Sequence, residues 1–439
     1  MKILLERAKG SPLDIRSACL DRADVLALLS PHAQRFRSLD FVFNYWPNIQ
    51  RFSEATSGPL PLLRTLKIDM VDTMNPPSLP LFSGAVNLKN FSLHSEGIPF
   101  LNHFTFPNLT TFEFSAVGEE FSISQLLNFL EALPTLQTAR IKIGPEVLRG
   151  DAPPERVVVL PNVEIFSVTE GKPGYRITPH ISCPSAKRMA LVREQGVEAL
   201  MPEEIFPSWN TIGPQHMAST IDGVALGITT TENELVSFSL SFLSPGLVTL
   251  GLGYRIIAEE QYGDEPAFSS GWRYTNVFEH ALEAIRTHPL LNNIKRLRIW
   301  DRHRFANPRQ LTSIAKEATP GLFKFMGPLE ELVLDINDLQ IFLSPFLDLP
   351  ESQVSTEQST FPSIRVLIIA EQPEDPFDEE CMAAIVGFVW SQYTRGVPFE
   401  RVVFHMKSPP VGMAERLEPW VGAVNFSEET ISADYQDYI

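Results

Sequence analysis

Pro107-Asn108-Leu109-Thr110-Thr111-Phe112-Glu113-Phe114 decides how this chain folds. It consists of a proline, one spacer, an apolar residue, two spacers, and then apolar–x–apolar. The phrase returns as Pro61-Leu62-Leu63-Arg64-Thr65-Leu66-Lys67-Ile68 and as Pro134 and Leu136 with Ile141. It returns again as Pro161 and Val163 with Phe166 and Val168, and as Pro362 and Ile364 with Leu367 and Ile369. Alternating apolar residues specify a short strand with one buried face, and a repeating phrase specifies many such strands. Proline suits the approach to a strand, because it fixes φ and lacks an amide donor.

The first residue of each apolar–x–apolar pair serves as a register mark. The marks are Leu13, Leu39, Leu66, Phe91, Phe112, Ala139, Phe166, Met189, Val224, Leu250, Leu297, Leu332, Leu367 and Val402. Three residues ahead of each mark from Leu39 onward stands an apolar or small residue, from Phe36 and Leu63 to Ile364 and Phe399. Proline stands five ahead at seven marks, where random placement gives roughly one. Helical patterns over Asp21–Leu29, Ser124–Leu133, Val277–Thr287, Arg309–Glu317 and Glu379–Tyr393 fall between marks. The expected fold is therefore a single α/β array of about fourteen strand-bearing repeats, spanning residues 1–407. Residues 408–439 are expected to form a C-terminal cap or tail.

The spacing resembles the leucine-rich repeat, L-x-x-L-x-L-x-x-N, over nearly the whole chain. The resemblance implies a right-handed solenoid, a horseshoe with a parallel concave sheet. The asparagine of that repeat, five after the mark, is present only as Asn44 and Asn337. Irregular repeats and irregular turns are expected in consequence. Leu5–Ile15, Leu29–Leu39 and Phe106–Phe112 are similar to segments of the mushroom-type fungal F-box proteins with leucine-rich-repeat-like domains. That resemblance implies the substrate-recognition part of an F-box type ubiquitin-ligase receptor. It implies contact with a Skp adaptor only if an F-box stands upstream, since no F-box opens this sequence. Met201-Pro202-Glu203-Glu204-Ile205-Phe206 mimics an F-box opening, but Pro207 and Pro214 deny it the helices, so it reads as an inter-repeat loop.

Composition narrows the classes. A formal charge of −17 disfavours nucleic acid and anionic membrane as partners, since both require a cationic surface. No apolar run approaches the roughly 20 residues needed to cross a bilayer. Cys19, Cys183 and Cys381 are too few and too scattered for a disulfide framework or a zinc site. A cytoplasmic or nuclear monomer is expected, with no cofactor and no metal. Motifs for acyl transfer, nucleotide binding and metalloproteolysis are missing from the sequence. Gly251-Leu252-Gly253 lies inside a strand pattern and lacks the third glycine of a dinucleotide loop. The histidines are scattered and read as surface residues. The expected function is protein recognition rather than catalysis; a stand-alone scaffold or sensor, or an enzyme with residues assembled from afar, are the other readings.

One surface stands out. Strand alternation around Leu297 and Ile299 places Arg296, Arg298, Trp300 and Arg302 together on the exposed face. Arginine and tryptophan are enriched in binding hot spots. Val333 and Ile368 continue that face on the next strands, with Val403 beyond them, where Lys67, Glu113 and Arg140 occupy the earlier ones. Apolar residues at such positions imply a partner or a cover. The cover expected within the chain is the C-terminal segment with Trp420, Val421 and Phe426. Pairing with Glu330, Glu331 and Asp335 is the alternative use of the arginines.

Overall fold

Turn chemistry precedes each strand in the structure as it does in the sequence. The computed structural model describes residues 5, 8–17, 23–43, 46–56, 58–70, 81–95, 101–117, 121–144, 148–149, 155–170, 176–196, 223–230, 236–244, 247–257, 294–301, 329–335, 339, 343, 364–370, 378–406 and 411–427. Ahead of six successive strands the chain closes the same four-residue turn. The amides of Leu63, Leu88, Leu109, Leu136, Val163 and Ala186 donate to the carbonyls of Leu60, Ala85, Phe106, Leu133, Leu160 and Cys183, at 3.0 to 3.4 Å. Pro61, Pro107, Pro134, Pro161 and Pro184 take the second position, where a preset φ lowers the cost of the turn. The third position reaches back to the preceding turn. Asn87 donates to Pro61 O at 3.1 Å, Asn108 to Val86 O at 2.9 Å, Thr135 to Pro107 O at 3.3 Å and Asn162 to Pro134 O at 2.8 Å. A side-chain ladder therefore runs ahead of the strands; most of the turns after the strands, where irregularity was expected, lie outside the described residues.

The chain divides into two compact units, Met1–Glu194 with Pro207–Gln215, and Gln195–Phe206 with His216–Ile439. Both are α/β. The first carries β1 (Leu13–Ser17), β2 (Phe36–Phe43), β3 (Thr65–Met70), β4 (Asn90–Ser95), β5 (Thr111–Ala116), β6 (Thr138–Ile143), β7 (Ile165–Glu170) and β8 (Arg188–Gly196). They lie side by side in chain order, every pair parallel. The marks Leu39, Leu66, Phe91, Phe112, Ala139, Phe166 and Met189 align from strand to strand. All are buried, as are Phe36, Leu63, Leu88, Leu109, Leu136, Val163 and Ala186 three residues ahead of them. Each fully buried large apolar side chain contributes about 1.5–3 kcal/mol. The first mark is corrected: a register shift after Leu13 brings Ile15, not Leu13, opposite Leu39.

Helices α1 (Ala23–Leu29), α2 (Trp46–Ala55) and α3 (Ile123–Glu131) lie between strands. Ser122 caps α3 by accepting from the Gln125 amide at 3.2 Å. Phe129 of α3 meets Phe112 at 4.9 Å and Phe91 at 6.4 Å between ring centres. Phe52 of α2 meets Phe41 at 4.9 Å and Phe36 at 6.4 Å. Helices α2 and α3 therefore pack on the face that carries the marks, and the opposite face of the sheet points outward. Helix α2 is not among the helical patterns read from the sequence, and it carries Pro47. In the first turn its missing N–H costs nothing.

The second unit carries β9 (Gly223–Thr230), β10 (Val236–Ser244), β11 (Leu247–Ile257), β12 (Arg296–Asp301), β13 (Glu331–Asp335), β14 (Val366–Ala370), β15 (Arg401–His405) and β16 (Ala423–Ser427). Strands β9, β12, β13, β14, β15 and β16 are neighbours in that order and parallel. The marks Val224, Leu297, Leu332, Leu367 and Val402 align across them. Two expectations are corrected. Val224 and Leu250 are not adjacent parallel repeats, because β10 lies between them and pairs antiparallel with both β9 and β11. Only Pro245 and Gly246 separate β10 from β11, and a parallel crossover needs a dozen residues or more. The described part of the C-terminal segment, residues 411–427, is likewise not a cover over the sheet, for β16 joins its edge and Phe426 stacks on Phe404 at 5.3 Å; residues 428–439 lie outside the described residues. Helix α4 (Glu379–Thr394) forms where expected, with Asp378 capping it by accepting from the Cys381 amide at 2.7 Å. A short helix, α5 (Met413–Leu417), precedes β16. The helical patterns at Val277–Thr287 and Arg309–Glu317, and the segment Met201–Phe206, lie outside the described residues.

Candidate functional site

The register of the second unit assembles the surface that the sequence singled out. Ala225, Arg298, Val333, Ile368, Val403 and Asn425 stand opposite one another on successive strands and form one outward row. Trp300 stands between Gly227 and Asp335 in the next row. The side chain of Trp300, and the whole of Arg302, lie outside the described residues.

The expected exposure is corrected at the centre of this row. Arg298 is only 9% exposed and Val333 only 8%. The Arg298 guanidinium is ion-paired with the Asp335 carboxylate, and the side chains of the two are 10% and 16% exposed. Sequence alternation gives the face on which a residue stands, but it cannot tell how much chain lies over that face. Arg298 is thus committed to Asp335, one of the acids that the alternative reading named. Glu330 takes Lys295 at 3.3 Å. Arg365 meets Glu400 through two hydrogen bonds, at 2.7 and 2.9 Å. That contact holds the Glu400 carboxyl below its ordinary range and raises Arg365. Arg296 is half-buried. The open part of the predicted surface lies further along, where Ile368 and Val403 are partly exposed beside Val366.

Two features escaped the sequence reading. By register, Ala225, Gly227, Ser239, Ser241, Gly251 and Gly253 stand on one face of β9 to β11, in the rows of Arg298 and Trp300. The alternation of small with large residues marks this face in the sequence, once β10 is counted as a strand. The second feature is the outward face of the first unit, whose charges pair across neighbouring strands and, for Lys67 and Asp69, along one strand. Asp40 lies 3.2 Å from Arg16 and 4.0 Å from Lys67; Lys67 lies 3.4 Å from Asp69; Glu113 lies 2.6 Å from Arg140. These partners sit at successive marks plus one or plus three, so the sequence does encode the row.

The remaining buried polar groups serve the fold. The Glu170 carboxylate accepts from the amides of Ile177 and Thr178 at 3.0 and 3.2 Å and from the Thr178 hydroxyl, tying these two residues to the end of β7. His180 is buried rather than on the surface, with Nδ1 2.9 Å from Arg156 O. Cys183 and Cys381 are free, and burial pushes both thiols up to about 12. Among the described residues, no group of three or more His, Cys, Asp or Glu is placed to hold a metal ion, and no helix is long and apolar enough to cross a membrane. Neither the protein-family models nor the curated proteins contain a match to this chain.

Proposed function

We propose that this protein recognises another protein through the outward face of its parallel strands, without catalysing a reaction. The observation that carries the reading is the row of Ile368 and Val403 with neighbouring Val366, apolar side chains partly open at positions that are polar in most strands of the first unit, Ile165 and Ala190 being the apolar ones there. A partly exposed apolar row in a well-packed sheet favours a protein partner over a small polar ligand. The repeated turn, strand and register support an irregular leucine-rich-repeat-like solenoid as the finer description of the fold. The resemblance of Leu5–Ile15, Leu29–Leu39 and Phe106–Phe112 to the F-box family adds the role of substrate receptor in a ubiquitin ligase, in the cytoplasm or nucleus. Within that reading, an F-box would supply the Skp contact and the strands would supply substrate contact.

Affinity purification of the protein from its native cells, followed by mass spectrometry, tests both parts. A recurrent protein partner together with a Skp adaptor and a cullin is the expected result. Recovery of a partner without the adaptor removes the ligase part and leaves a scaffold. Recovery of no protein above control contradicts the reading as a whole.

A further inference from the structure

We propose that the outward face of β4 to β7 seats an extended peptide with acidic side chains, one carboxylate held over Lys142 between the hydroxyls of Ser115 and Thr169. The inference rests on the protein-recognition reading above and assigns the chemistry of a partner to a surface that reading leaves open. The register places His94, Ser115, Lys142 and Thr169 in one row, and Ser92, Glu113, Arg140 and Ser167 in the row beside it. Neighbours within a row are about 4.8 Å apart, near enough for one carboxylate to meet a lysine and a flanking hydroxyl together. The other outward residues of these strands are Asn90, Thr111, Thr138 and Ile165, so the face is nearly free of apolar side chains.

Charge selects the ligand. Among the described residues of β4 to β7, Arg140 and Lys142 are the outward cations and Glu113 is the one outward acid, a local positive surplus on a chain of charge −17. Glu113 is paired with Arg140, while Lys142 is exposed and has neither an ion pair nor a side-chain hydrogen bond among the described residues. A single cation without an acid partner among the described residues suits a singly charged carboxylate better than a phosphate, whose charge approaches two. The strand itself sets the peptide geometry. Arg140 and Lys142 are two residues apart on one face, roughly 7 Å along the strand, which is also the spacing of alternate side chains in an extended peptide. A peptide lying along β6 with acids at alternate positions would place one carboxylate on Lys142 and offer the next to Arg140. The exposed Arg140–Glu113 pair is weak enough to be exchanged for it.

Fluorescence anisotropy with a labelled decapeptide of alternating serine and glutamate tests the site on the full chain. The expected result is affinity about tenfold above that of the serine–glutamine counterpart, falling as salt is raised. Lys142→Glu should lose about tenfold in affinity, with an unchanged melting temperature because the side chain is exposed. Lys187→Glu makes the same charge change off this face and should stay within about twofold of wild type. Equal binding of the two peptides, or equal loss in both variants, overturns the proposal. So does tighter binding of a phosphoserine peptide, which would make phosphate the ligand. A native partner whose binding survives Lys142→Glu overturns this site and leaves the protein-recognition reading standing.

Discussion

At the scale of single residues, Arg298 shows why a face is not yet a binding site. Its ion pair with Asp335 is largely removed from water, so truncating one partner takes a charge-assisted contact away from a charge that stays buried. Arg298→Ala should therefore destabilise the protein by about 2–4 kcal/mol, read as a shift in urea midpoint. A free binding residue would leave the midpoint unchanged. Position on the strand was legible from alternation around Leu297 and Ile299. Burial was not, because it depends on chain far away in sequence. The two buried thiols give a pH prediction with a definite sign. Burial raises Cys183 and Cys381 from an ordinary 9.0 to about 12, so the folded state holds those protons more tightly than the unfolded state. Their contribution is complete below pH 9 and is lost as pH rises from 9 towards 12. Replacing both with alanine should flatten the alkaline limb of the stability curve. At pH 8 the native protein should also react slowly with a thiol reagent at these two positions, and rapidly once unfolded.

At the scale of elements, the turns and caps were the most legible part of the sequence, because their chemistry is local. Proline, asparagine and the residue three ahead of each mark fix where a strand begins, and Asp378 fixes where α4 begins. Asp378→Ala should cost about 1 kcal/mol through the lost bond to the Cys381 amide. The antiparallel strands β9 to β11 and the edge strand β16 were less legible. Their alternation is plain, but pairing order depends on connection length and on which edge is open. Gly422 makes β16 possible: a β-carbon there would come within 2.6 Å of the Glu400 carbonyl oxygen. Gly422→Ala should therefore displace β16 from β15. Faster hydrogen exchange at Val424 and Phe426 is the expected readout, with β12 to β14 unaffected.

At the scale of the whole molecule, the outward faces of the two units differ in kind. The first unit presents paired charges and hydroxyls, and the second presents a committed ion pair with an apolar row beyond it. Both were encoded in the residues at mark plus one and mark plus three. Within the first unit, β1 carries half-exposed Leu13 and Ile15, while Phe112 and Phe166 are fully buried. Hydrogen exchange should be faster in β1 than in β5 to β7, and equal protection would count against β1 as the frayed edge. The central claim is that Ile368 and Val403 form part of a protein-binding surface. It is tested most directly by measuring the affinity of a purified native partner for the Ile368→Glu, Val403→Glu double variant by calorimetry. The account predicts a loss of at least about 2 kcal/mol in binding with the fold retained by circular dichroism. A folded double variant that binds its partner as tightly as wild type would contradict it.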